Sequence, residues 1–160
     1  MSPDWQRTLR DGLIAGAIGY LTVALFLGLA NTVAGRSPFF TATRLGELLF
    51  YGDRAPAAAA GPAIAYNGVH LVAFLLLGVL AARVVLGTER HPQAYYVALL
   101  GAIAFVLFAT AVAVASSTLF PTGFATWVFP VVNVIALVAM GAFLWTTHPL
   151  LRHVGGDEAA

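Results

Sequence analysis

The residues of this chain with the means to do chemistry are few, and they stand in apolar surroundings. The stretch 65–83, AYNGVHLVAFLLLGVLAAR, carries Tyr66, Asn67 and His70 near one end of a long hydrophobic run. On a helix, residues three and four apart are neighbours, so Asn67 and Tyr66 lie one turn from His70 on the same face. An imidazole so placed can ligate a metal porphyrin, or donate to the carbonyl of a quinone or pigment. The other strongly polar side chains inside apolar segments are Thr22, Asn31, Thr110, Ser116, Ser117 and Asn133.

The inventory excludes several sharper chemistries. The chain has no cysteine, which removes thiolate nucleophiles, disulfide exchange, iron–sulfur clusters and cysteine-held zinc. Ser116 or Ser117 with His70 lacks the G-x-S-x-G elbow of a serine hydrolase. A diheme bundle needs two pairs of intramembrane histidines, and His70 is the single candidate if His91, His148 and His153 lie at or beyond the inner surface. An ion-coupled carrier wants a carboxylate or lysine within a span, and none is expected here, with Arg83 close enough to an end to snorkel. His148 and His153 with Arg152 read as a solvated tail facing anionic lipid. The sequence therefore calls for no catalytic residue and no metal site. It requires no cofactor, although haem, bacteriochlorophyll, carotenoid or quinone would suit His70.

The elements that must position these residues follow from composition. Of 160 residues, 60% are hydrophobic and 9% charged, and the mean hydropathy is +0.87, far above that of a soluble domain. The eight cations are all arginine, scattered singly, and the net charge is +1, so no field favours nucleic acid. Crossing roughly 30 Å of hydrocarbon takes about 20 helical residues. Four segments qualify: 12–34, 63–86, 95–119 and 125–147. Helices are expected because backbone polar groups in lipid must be satisfied within the span. The first segment follows Arg7 and Arg10 as a signal peptide would, but its apolar run of about 20 residues exceeds a signal core and is kept as a span.

Arginine placement gives the orientation. One side holds Arg7, Arg10, Arg83, Arg90 and Arg152, and the other holds Arg36, Arg44 and Arg54 in a single loop, which predicts both termini in the cytoplasm. Trp5, Tyr95, Tyr96 and Trp145 then form an inner aromatic belt, and Tyr66, Phe120, Phe124 and Trp127 an outer one. Pro62 and Pro92 suit helix first turns, and Pro121-Thr122-Gly123 predicts a tight outer turn that makes spans three and four antiparallel neighbours.

Residues 35–61 are too many for a plain connection. Ser37-Pro38 reads as a helix start and Gly52 as a helix end, with Leu45, Leu48 and Leu49 on one face and Arg44 paired to Glu47. A short amphipathic helix over 38–51 is expected on the outer surface, with Phe39, Phe40, Phe50 and Tyr51 in the interface. With Leu45, Leu48 and Leu49, those phenylalanines form either a lid over the bundle or a docking surface for a partner.

The polar residues of the spans fall at similar depth, with His70 about eight residues, or roughly 12 Å, below the outer end of its helix. Asn31, Asn67, His70, Thr110, Ser116, Ser117 and Asn133 all lie in the outer half. They either hydrogen-bond helices together or line an outward-facing pocket centred on His70, with Asn67 and Tyr66 beside it. A polar path through the bundle is a third arrangement. Gly12 with Gly16, and Ala15 with Gly19, remove bulk from stripes of the first span, for packing within the chain or between subunits. Span three, with Ala and Gly all round, is expected at the centre.

The expected fold is an all-α integral membrane protein: one domain, four transmembrane helices in an antiparallel bundle, and an amphipathic interfacial helix in the first outer loop. The expected setting is the bacterial inner membrane, with lipid and other membrane-protein subunits as partners and no nucleic acid. The expected role is non-enzymatic, an accessory subunit of a larger assembly. In type, though in no motif, the chain resembles small polytopic subunits of respiratory and photosynthetic complexes. The alternatives are a cofactor-binding protein using His70 and a small passive channel or carrier.

Overall fold

The computed structural model describes residues 3–52, 60–90, 96, 100–105, 107, 111 and 127–148, without the side chains of 3, 89 and 90. The described residues form helices and turns, with no strand among them. Helix α1 spans Pro3–Val33, α2 spans Phe40–Gly46 and runs into a one-turn π-helix at Glu47–Tyr51, α3 spans Ala60–Arg90, and α4 spans Val128–Thr147. Three of them, α1, α3 and α4, are long and apolar enough to cross a membrane. The chain is thus an all-helical protein suited to embedding in lipid. The expected span 95–119 and the turn at 121–123 fall mostly or wholly outside the described residues, although Tyr96 and residues 100–105, 107 and 111 are helical.

Helix ends follow local chemistry. At the end of α1, Gly35 takes φ of +71°, the Arg36 N–H reaches the Asn31 carbonyl at 2.9 Å, and the Gly35 N–H reaches that of Thr32 at 3.0 Å. This is a Schellman closure, which needs a left-handed residue and therefore glycine. Pro62 stands third in α3 and Pro130 third in α4, where a missing N–H breaks no intrahelical bond. Because α4 starts at Val128 and not 125, Pro130 lies in its first turn and introduces no break.

The helix that carries the first predicted span extends beyond it at the N-terminal side: the polar stretch PDWQRTLRDG is helical from Pro3, and its Arg7, Thr8, Arg10 and Asp11 find partners on the bundle.

α1 occupies the middle of the described bundle, packing against both α3 and α4. Its glycines permit backbone contact: a Cβ on Gly12 would meet the Val79 backbone, one on Gly16 the Phe74 carbonyl and Leu75 Cα, and one on Gly78 the backbones of Gly12 and Gly16. As residue numbers rise along α1, those they meet on α3 fall. At this crossing, Ala15, Ala82 and Leu144 are buried together. Above it, Val23, Leu27, Phe74, Val128, Val132, Ala136 and Met140 form the core. The buried residues of α4 recur every four positions from Val128 to Leu144, so one ridge faces α1. Outward, Leu21, Leu25 and Leu29 of α1, Val72, Leu76 and Leu80 of α3, and Val131, Val134 and Val138 of α4 are exposed, as lipid-facing residues would be.

The segment 36–52 between α1 and α3 is anchored at two points. Asn31, fully buried at the end of α1, donates to the Pro38 carbonyl at 3.3 Å and to Thr41 Oγ1 at 3.0 Å. Gly46 lies so close to α3 that a Cβ would strike the Pro62 carbonyl group. α2 starts two residues later than expected, with the Phe40 N–H closing a turn on the Ser37 carbonyl at 2.9 Å. The anticipated Arg44–Glu47 pair is present at 3.0 Å, and Gly52 takes φ of +53° at the end of the π turn.

Candidate functional site

One group is built where Tyr20 of α1 faces Asn67 and His70 of α3, beyond the Gly16–Gly78 contact. Losing the glycine stripe, the helices admit larger side chains. Tyr20 Oη donates to Asn67 Oδ1 at 3.1 Å, and Asn67 Nδ2 donates to the Ala63 carbonyl at 2.8 Å. The His70 ring stacks on Tyr66, with centroids 5.2 Å apart and planes inclined by 19°. It meets Phe74 edge-on at 4.9 Å, and Tyr20 lies 6.1 Å away. Three aromatic rings thus surround one imidazole. Its Nε2 is buried and has no hydrogen-bond partner among the described residues.

Among the described residues, Asn31, Asn133 and Thr22 do not join this group. Asn31 is eleven residues from Tyr20 along α1, roughly 16 Å, and its side chain bonds the outer segment. Asn133 donates to the Phe129 carbonyl of its own helix at 2.9 Å. Thr22 likewise bonds the Ile18 carbonyl. Thr110, Ser116 and Ser117 lie outside the described residues. Of the packing stripe, Gly12, Ala15 and Gly16 face α3, while Gly19 lies against Met140 and Phe74. Of the expected docking residues, Phe39, Leu48, Leu49 and Phe50 are exposed, Leu45 is half-buried, and Phe40 is half-buried beneath the Arg36 guanidinium at 5.1 Å.

A second group, at the other end of the bundle, overturns one expectation. Asp11 is 2% exposed and His148 is fully buried, so His148 is no part of a solvated tail. His148 Nε2 lies 3.4 Å from Asp11 Oδ2. Arg10 Nε donates to Asp11 Oδ1 at 2.9 Å, and Arg7 Nε lies 3.7 Å from Oδ2. Arg7 Nη2 reaches both the Thr147 carbonyl and His148 Nδ1 at 3.3 Å. A guanidinium is a donor only, so Nδ1 accepts in that contact, and the 3.4 Å approach of Nε2 to Asp11 Oδ2 is an electrostatic contact and not a hydrogen bond. One side chain of α1 therefore satisfies the open carbonyl end of α4 while a second lies beside its imidazole. Beside them Thr8, also fully buried, donates to the Asp4 carbonyl at 2.9 Å.

Sequence reasoning missed Tyr20, Asp11 and the place of His148. The available signal was spacing: Arg7 and Asp11 are four apart on one helix face, a pairing of opposite charges at the edge of a span. Tyr20 also stands nine residues inside the apolar run, where a phenolic hydroxyl needs a partner. Among the described residues, no group of three or more His, Asp or Glu side chains is placed to hold a metal ion.

Compared with known proteins, the chain matches no protein-family model, no curated protein and no solved structure.

Proposed function

We propose that this chain is a non-catalytic accessory subunit of a larger bacterial inner-membrane assembly, folded as a four-span antiparallel bundle with both termini in the cytoplasm. The observation that carries this reading is the use made of polar side chains. Tyr20 with Asn67, Asn31 with Thr41, and Asp11 with His148 join parts of this chain to one another, whereas the outward ridges are apolar. A surface of that kind suits lipid or neighbouring subunits, and the outer segment adds exposed Phe39, Leu49 and Phe50 on a firmly anchored base. Native-gel migration of gently solubilised membranes tests it. The chain is expected to run with a larger assembly; a sharp band at monomer or small homo-oligomer size, with no partner, overturns the proposal.

One observation favours a second reading. The buried Nε2 of His70, among three aromatic rings, suits an apolar ligand that carries a hydrogen-bonding oxygen or a metal-centred macrocycle. A visible absorption spectrum of the purified protein tests the pigment form of this reading. A band that His70→Ala shifts or abolishes supports it, and no band, or one the substitution leaves unaltered, removes it. A passive path between α1 and α3 is opposed by the backbone contact of Gly16 with Gly78, which leaves no lumen there.

A further inference from the structure

We infer that the His70 group binds a quinone: a neutral, membrane-soluble ring whose carbonyl oxygen takes up the hydrogen bond that His70 Nε2 lacks among the described residues. This rests on the reading of His70 as a ligand site, and it chooses between the two ligand chemistries which that reading admits. Polar atoms buried in a fold are nearly always paired, so an unpaired one marks a place where a partner belongs. The polar atoms beside it are already committed. The Tyr20 hydroxyl donates to Asn67 Oδ1 at 3.1 Å, and Asn67 Nδ2 donates to the Ala63 carbonyl at 2.8 Å. Among the described residues, the imidazole edge is what remains. A ring nitrogen of neutral imidazole donates to a carbonyl or accepts from a hydroxyl, so it suits a quinone and its reduced quinol alike.

Charge narrows the class of ligand. α1 has no charged residue from Gly12 to its end, α3 none from Ala60 to Ala82, and α4 none along its length. An ion bound beside His70 would stand in apolar surroundings without a counter-charge from these helices, a cost that a neutral oxygen does not meet. Ring spacing gives the shape. Tyr66 stacks on the imidazole at 5.2 Å, Phe74 meets it at 4.9 Å and Tyr20 at 6.1 Å, distances at which aromatic rings attract one another. Three rings so close to the imidazole leave no open disc for a macrocycle held through its nitrogen, whereas one carbonyl oxygen needs only the turn of a ring. A flat head group is then met by π-faces as well as by a hydrogen-bonding edge. Entry is from lipid: His70 is half-buried, and Ala73, one turn further along the same helix face, is exposed, as is Val69. Ala73 carries only a methyl group, so the imidazole is open to the acyl chains on that side.

Solid-state NMR of the full chain tests the assignment, in nanodiscs of synthetic phosphatidylcholine and phosphatidylglycerol that contain no quinone. The probe is a decyl-tailed benzoquinone with carbon-13 at its carbonyls, added to protein with nitrogen-15 in its histidine rings. The quinone should shift His70 Nε2 saturably, leave His91, His148 and His153 in place, and bring a carbonyl carbon into dipolar contact with that nitrogen. His70→Phe keeps a ring without a hydrogen-bonding edge and should weaken binding by about tenfold, the worth of one hydrogen bond. His70→Gln, whose amide can donate and accept, should recover part of that loss. A His70 signal that never moves, equal affinity in His70→Phe, or a shift centred on another histidine overturns the inference. The carbonyl contact is read on the unsubstituted protein, so the test holds even where His70→Phe does not fold. Hemin added to the same nanodiscs separates this inference from the reading beneath it. A Soret band that His70→Phe abolishes, with no effect of quinone, keeps the ligand site and removes the quinone; binding of neither probe removes both.

Discussion

Tyr20 and Asp11 both reach across from α1 to another helix, but the two joints differ in what their removal leaves behind. Tyr20→Phe deletes one hydroxyl and leaves Asn67 its bond to the Ala63 carbonyl, so the loss should be that of a single interhelical bond in lipid, about 0.6 kcal/mol. Asp11→Ala removes the carboxylate beside a fully buried imidazole and the acceptor of the Arg10 bond, which should cost about 1–3 kcal/mol. Unfolding measured in bicelles should rank Asp11→Ala well above Tyr20→Phe; equal or reversed losses would show that the inner group carries no structural weight. His70, Asn67 and Tyr66 were legible as one helical face because spacing alone dictates it. Their neighbour Tyr20 was not, since which face of α1 meets α3 is decided by Gly12 and Gly16 against Gly78, a contact between segments more than sixty residues apart. That Asn31 and Asn133 stand apart from His70 was hidden for a similar reason. Depth follows from counting along each helix, but Asn31 and Asn133 point to partners that only the packed fold supplies.

The helices themselves were readable because lipid imposes one backbone solution, and Gly35, Gly52 and Pro62 mark ends by their own chemistry. The helical extension of α1 back to Pro3 was not, because hydropathy marks the apolar run and the charged turn before it gains its partners from α4. The α1–α3 pairing yields a sharp contrast between glycines. In Gly16→Ala the new methyl would press on the Phe74 carbonyl and Leu75 Cα, forcing two backbones apart, and a loss of about 1–3 kcal/mol is expected. In Gly141→Ala nothing among the described residues lies within 4 Å of the added carbon, and the change should be neutral or slightly stabilising, as alanine is the better helix former. Thermal unfolding of the two variants in the same detergent should therefore move in opposite directions or differ clearly. A shift of similar size and sign in both would mean that α1 and α3 are not in backbone contact.

At the scale of the whole molecule, the lack of native cysteine makes the arrangement accessible to labelling. Gln6→Cys and Ser37→Cys sit at opposite ends of α1, and a membrane-impermeant thiol reagent added to the periplasmic side should modify the second and spare the first; the reverse pattern would invert the orientation. The central claim is that α1 is gripped by α3 within one chain, its small residues serving the fold and not a contact between copies. Ala15 and Ala82 are both fully buried in the same cluster and report on it most directly. Oxidation of the Ala15→Cys/Ala82→Cys double variant in native membranes should give a fast-migrating, reducible monomer. A dimer-sized product in place of that monomer, or no cross-link at all, would contradict the account.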